Sequence, residues 1–174
     1  MTFQQFEVKP RFSFLDFVFG GCEIGLSVAI DFTLSNIEPS KPNSLHYIGN
    51  IEKNEYYNAI KSVGSILQYY DTDKKIPTFG FGAAIPPFNQ TANHCFALNG
   101  DIFNPECDGI EGVIETYKNA IKKVSLYGPT HFSSILELIN DMTESMRVSQ
   151  QNQKYNILLI ITDGIINDLQ QTID

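Results

Sequence analysis

The sequence has no run of basic residues, and 12 Lys and Arg stand against 20 Asp and Glu for a formal net charge of −8. Phosphate-backbone binding needs a concentrated cationic surface, so nucleic acid is excluded as a partner on charge. Cysteine is scarce as well. Cys22, Cys95 and Cys107 are an odd number at irregular spacing, which leaves no complete disulfide framework and no paired Cys-x-x-Cys knuckle for zinc. This favours a reducing, intracellular compartment. No apolar run approaches the ~18 residues of a membrane span. Glu7, Lys9, Arg11 and Asp16 interrupt the N-terminus before it can form the ~7–15-residue apolar core of a secretory signal. Gly-x-Ser-x-Gly is also missing, and His46, His94 and His131 have no triad context, which argues against nucleophilic hydrolysis.

What is present is apolar: 43% hydrophobic residues, with 13 Phe and 8 Tyr in 174 positions. That suffices for the core of one domain of the usual ~100–200 residues, and it excludes a disordered tail. Six phenylalanines, including Phe3 and Phe6, crowd residues 1–20. Phe12 and Phe14 alternate in strand fashion there, so 1–20 is expected to be a lead-in or linker remnant packed on the edge of a domain spanning 21–174.

Glu23 to Ile30 reads as a strand that rises to Val28-Ala29-Ile30, the pattern of a strand buried on both faces of a parallel sheet. Residues 37–53 read as loop. Asn54 is an N-cap candidate for a helix with Ala59, Ile60, Val63, Ile66, Leu67 and Tyr70 as its apolar stripe. Lys75 to Gly82 is a second strand, and a short one is expected at Cys95–Leu98. A helix follows over 109–124 through Ile110, Val113, Ile114, Tyr117 and Ile121, and another over 131–147 with Ile135, Leu136, Leu138, Ile139 and Met142 inward. Tyr155 to Ile161 is the most apolar strand, and a helix begins after Ile165. Strands alternating with helices predict an α/β fold: a Rossmann-like, doubly wound, mostly parallel sheet with helices on both faces.

In such sheets ligands bind beyond the carboxyl ends of the strands, where strand order reverses. Asp31 closes the first strand and Asp163 the last, with Thr33 and Ser35 just past Asp31 and Thr130 in a Gly-Pro turn that opens a helix. All five are hard oxygen donors without His or Cys beside them, which selects magnesium, manganese or calcium over zinc or copper. Two carboxylates nearly neutralise a divalent ion, and neutral hydroxyls add geometry without charge. An open coordination position then accepts a partner's carboxylate. Asn36 is expected to orient the loop from behind. The plainer reading is that Asp31, Thr33 and Ser35 only tighten a turn while Asp163 caps a helix.

Asp31-Phe32-Thr33-Leu34-Ser35, Thr130 and Asp163 resemble the Asp-x-Ser/Thr-x-Ser, Thr and Asp elements of the metal-ion-dependent adhesion site (MIDAS) of von Willebrand factor A-type domains. More closely, Val28-Ala29-Ile30-Asp31-Phe32-Thr33, Ser44-Leu45-His46-Tyr47-Ile48, Phe79-Gly80-Phe81-Gly82-Ala83, Asn104-Pro105-Glu106-Cys107, Leu126-Tyr127-Gly128-Pro129-Thr130 and Ile161-Thr162-Asp163-Gly164 resemble the A-domain of copines. The resemblance implies a non-enzymatic, protein-recruiting domain that holds Mg2+ or Mn2+, with Ca2+ as a further candidate. Its partners would be intracellular proteins docking through an acidic side chain at the metal. Copines bind phospholipid in a calcium-dependent way through C2-type modules, so membrane contact would be indirect, by recruitment of a cytoplasmic protein to the plasma membrane.

Three departures go with the resemblance. Thr33 stands where many adhesion sites have Ser, nothing before residue 13 is long enough for a C2-type module, and the family's last strands and helices lie beyond Asp174, so the chain reads as truncated at its C-terminus. The substrate-recruiting A-domain of RING-type ubiquitin ligases is the alternative. A phosphoaspartyl enzyme would want a carboxylate at position 33 and a lysine after a strand end, and zinc through His94, Cys95 and Cys107 lacks the spacing.

Overall fold

Strand β1, Glu23–Asp31, is buried along most of its length because its two faces meet different layers. Leu26, Val28 and Ile30 point into one apolar cluster and Ala29 into another. Its neighbours are both parallel to it: β2, Lys75–Phe81, with Val28 opposite Thr78, and β7, Lys154–Ile161, with Ile30 opposite Ile161. This computed structural model describes residues 11–88 and 90–173. Two short antiparallel strands pair with β2, namely β4, Phe96–Ala97, and β5, Glu106–Asp108. Strands β3, Ala83–Ala84, and β6, Ser125–Leu126, form a separate two-stranded ribbon.

The larger cluster is covered by α2, Glu55–Leu67, and α3, Gly109–Ala120. It includes Ile60, Ile110, Val113, Ile114 and Tyr117. On the opposite face α4, Ser133–Glu144, contributes Ile135, with Leu136, Ile139 and Met142 packed around it against Ala29, Phe79, Phe81, Leu158 and Ile160. The predicted α/β fold with a mostly parallel sheet and helices on both faces is thus the observed one. Strand order β4-β2-β1-β7 places β2 on one side of β1 and β7 on the other. The chain therefore reverses direction across the sheet at β1, and the carboxyl end of β1 is the switch point.

Several local expectations are corrected. Phe12 and Phe14 do not form a strand: Phe14–Phe19 is a short helix, α1, because Ser13 and Asp16 form a reciprocal capping box at its start, which satisfies backbone donors that a strand would leave open. None of the described aromatic residues of this segment is buried. Phe14 rests its ring on Tyr155 at 5.8 Å, yet Phe12, Phe14, Phe17 and Phe19 remain exposed. The earlier part of the 1–20 segment, with Phe3 and Phe6, lies outside the described residues.

In α2 the Asn54 cap is as expected, its side chain accepting from the Tyr57 amide at 2.7 Å. The stripe is displaced, however. Tyr56, Ile60 and Gly64 are buried while Val63 and Ile66 are exposed, because bare Gly64 lets the Ile110 side chain lie against the helix backbone. The helices expected to reach residues 124 and 147 end at Ala120 and Glu144. Strand β5 falls where only loop was expected. It holds the start of β2 with Cys107 opposite Ile76.

Candidate metal centre

Because Ile30 and Ile161 are in register, Asp31 and Thr162 leave the sheet side by side. The Thr162 hydroxyl donates to Asp31 Oδ2 at 2.6 Å. The Asp31 carboxylate turns back on its own loop, where Oδ1 accepts the Thr33 amide at 2.8 Å and the Asn36 side-chain amide at 3.3 Å. Leu34–Asn36 forms a single 3-10 turn that brings the Thr33 and Ser35 hydroxyls to 2.8 Å from each other. Ser35 Oγ then donates to Asp163 Oδ1 at 2.9 Å. Thr130 enters from the loop before α4, held by reciprocal bonds with Asn167 at 2.8 and 2.9 Å.

Gly164 shows how closely these groups converge. A Cβ there would lie 2.9 Å from Thr130 Oγ1 and 3.5 Å from Asp31 Oδ2, so its missing side chain keeps a cradle open between a hydroxyl and a carboxylate. Asp31, Thr33, Ser35, Thr130 and Asp163 are thereby gathered at one end of the sheet. Asn36 lies directly behind them, fully buried, with its Oδ1 lacking a hydrogen-bond partner among the described residues.

The electrostatics are those of a site short of positive charge. Burial raises the Asp31 pKa, the hydrogen bonds from Thr162 and Thr33 oppose this, and the Asp163 charge adds to the rise. Burial also raises the Tyr56 pKa, and the charges of Asp31 and Asp163 reinforce it, so the Tyr56 hydroxyl stays protonated beneath them. The donor set is carboxylate and hydroxyl oxygen, which suits a hard divalent cation. No three His, Cys, Asp or Glu side chains among the described residues are grouped to hold a metal. The zinc combination is not assembled: Cys107 lies in the core cluster under α2 and α3, whereas Cys95 packs in the cluster under α4. His131 is not a bare surface residue, since its ring stacks obliquely on His94 at 4.3 Å.

Two supports escaped the sequence reading. Thr162, next to Asp163, offered the only signal for its role, a hydroxyl in the strand-ending turn. His46 gave none, being an isolated histidine in the 37–53 loop. It is fully buried between the Phe32 and Tyr56 rings. Burial, against the hydrogen bond to the Asp31 carbonyl, pulls its pKa down to about 4, so the ring is neutral at pH 7. Its Nε2 lies 2.8 Å from that carbonyl and must donate to it, because a carbonyl only accepts. Nδ1 is then an acceptor facing the Tyr117 hydroxyl at 2.7 Å. That hydroxyl also faces Asn54 Oδ1 at 3.0 Å, which leaves one phenolic proton between two acceptors.

A mostly parallel sheet with helices on both faces, carrying an Asp-x-Thr-x-Ser loop at its switch point, defines a von Willebrand factor A-like domain. Residues 44–174, well over half of the chain, match the family described as Copine. The chain belongs to the copine family, and the matched region is the copine A-domain.

Proposed function

We propose that this domain is a non-enzymatic protein-binding module whose capture of partners depends on a divalent metal. The observation that supports the reading is the hydrogen-bonded convergence of Asp31, Thr33, Ser35 and Asp163, with Thr130 at the same cradle. In this reading Asp31 and Asp163 supply charge for Mg2+ or Mn2+, with Ca2+ as a weaker fit. Thr33 and Ser35 supply neutral oxygen, and Thr130 contacts the site according to whether a partner is bound. The bound ion supplies Lewis acidity toward one incoming carboxylate. Asn36 and Thr162 hold Asp31 in place, and His46 fixes the backbone carbonyl of the same residue.

The partners are intracellular proteins that present an acidic side chain. The reading gives the domain no lipid contact of its own, and plasma-membrane recruitment would come from C2-type modules. Among the described residues no helix is long and apolar enough to cross a membrane. The test is thermal melting with Mg2+, Mn2+ or Ca2+ titrated in. A ligand at about 100 times its Kd stabilises by ~2.7 kcal/mol, which raises Tm by several degrees. The rise should vanish in Asp31→Ala and Asp163→Ala. A flat curve in the unaltered domain would reduce the cluster to turn-capping, and turnover of a generic phosphoester lost in Asp31→Asn would point to an enzyme.

A further inference from the structure

Next to the oxygen cluster the surface turns apolar. Leu34, between the two hydroxyl residues, is 65% exposed. Its amide is tied to the Tyr127 carbonyl at 2.6 Å, so the backbone is pinned while the side chain is left in solvent. From Leu34 a groove of about 500 Å3 runs past Pro39 and Ile48 to Ile121, Val124 and Leu126. Ile48 is itself 47% exposed. The charged residues lining the groove are Glu38 and Lys122, one of each sign. The surface beside the cluster therefore has no net charge with which to draw a string of acidic residues, and the chain as a whole, at −8, repels one.

We infer that the partner of this face is a protein segment carrying a single Asp or Glu with a bulky apolar side chain close by in sequence. The carboxylate goes to the metal and the apolar side chain enters the groove between Leu34 and Ile48. This rests on the metal-dependent reading above and specifies the partner. An extended segment advances ~3.3–3.6 Å per residue, and Leu34 is the immediate neighbour of Ser35. The apolar residue therefore stands about one to three positions from the acid. Burying it removes exposed apolar area on both sides, whereas the carboxylate sets register.

The experiment is selection of a random peptide library displayed on phage against the Mg2+-loaded domain, with elution by EDTA. Enriched sequences should carry one acidic residue with Leu, Ile, Phe or Trp within about three positions. A synthetic copy should bind Leu34→Ser and Ile48→Ser roughly tenfold more weakly, while the Mg2+-induced rise in Tm stays that of the unaltered domain. If Mg2+ raises Tm but no peptide is enriched, or the peptides lack the apolar neighbour, or both variants bind as tightly as before, the groove is overturned and the metal reading stands. If Mg2+ leaves Tm unchanged and no peptide depends on it, both fall together.

Discussion

Ser35 Oγ donates to Asp163 Oδ1 at 2.9 Å across 128 positions of sequence. The bond joins the loop after the central strand to the loop after the last one. Both residues are solvent-exposed, so the contact adds little to folding. A bond of this kind is replaceable by a shared cation without disturbing the core.

Asp163→Asn separates the two roles of that carboxylate. Surface changes away from packed features usually stay within ±0.5 kcal/mol, so the metal-free domain should melt within about 2–3 °C of the unaltered one. The stabilisation by Mg2+ should be lost. Scanning calorimetry with and without 5 mM-scale Mg2+, on the order of a saturating concentration for weak sites, reads both effects, and an undiminished Mg2+ response would remove Asp163 from the site.

Thr162→Val keeps the shape of the side chain but deletes the hydroxyl that donates to Asp31 Oδ2 and accepts the Gly164 amide at 3.1 Å. Loss of a hydrogen bond to a charged group should lower stability by about 1.5–3 kcal/mol. Urea unfolding measures that. The Mg2+ concentration at half-maximal Tm shift should also rise, because Asp31 loses one of its anchors.

Gly82→Ala tests the link between β2 and the site. Gly82 has φ of +75°, and a Cβ there would overlap Thr33 Cγ2. The left-handed backbone alone costs a non-glycine residue ~1–2 kcal/mol. With the overlap, a loss of roughly 2–4 kcal/mol is expected, together with weaker Mg2+ stabilisation as Thr33 is pushed away. An alanine variant as stable as the original would show that the loop yields freely.

Asp168 sets a pH dependence at the start of α4. It is buried, with its carboxylate accepting the Phe132 amide at 3.0 Å and the Ser133 amide at 2.9 Å. Burial alone would raise its pKa, but the hydrogen bonds from Ser133, Phe132 and Thr172 outweigh it and hold the carboxyl at about 2. Its folded pKa is thus below the unfolded value of ~3.9, so the unfolded chain binds the proton first. The contribution, about 2 kcal/mol, is complete above ~pH 4 and lost as pH falls toward 2. The stability gap between the unaltered domain and Asp168→Asn should accordingly narrow between pH 5 and pH 2.5, each roughly bracketing that window. A constant gap would rule the carboxylate out as the source.

Much of this arrangement was legible in advance because burial on two faces leaves a direct signature. Val28-Ala29-Ile30 and residues 157–161 are continuous apolar runs that pack into the two clusters, and Ile110, Val113, Ile114 and Tyr117 are buried in α3 as its period predicts, with Ile121 buried just past its end. The five candidate oxygen donors were visible as hydroxyls and carboxylates at strand and turn ends. What was not legible was local competition. Ser13 and Asp16 close a capping box that turns an alternating aromatic stretch into α1, and Gly64 moves the buried stripe of α2 by admitting Ile110. The backing of the site was equally hidden, since His46 reaches Asp31 from 15 positions away and Tyr117 reaches His46 from 71.

The amino-acid sequence by itself determined the two-faced parallel strands, the helices between them and the identity of the oxygen-bearing residues, because hydrophobic period and turn chemistry act over a few neighbouring residues. Only the tertiary structure decided that Asp31 faces Thr162, that Ser35 meets Asp163, and that an open cradle survives at Gly164. Those contacts depend on the parallel register of β1 with β7, fixed by the packing of both strands between two helical layers and not by any local preference of the chain.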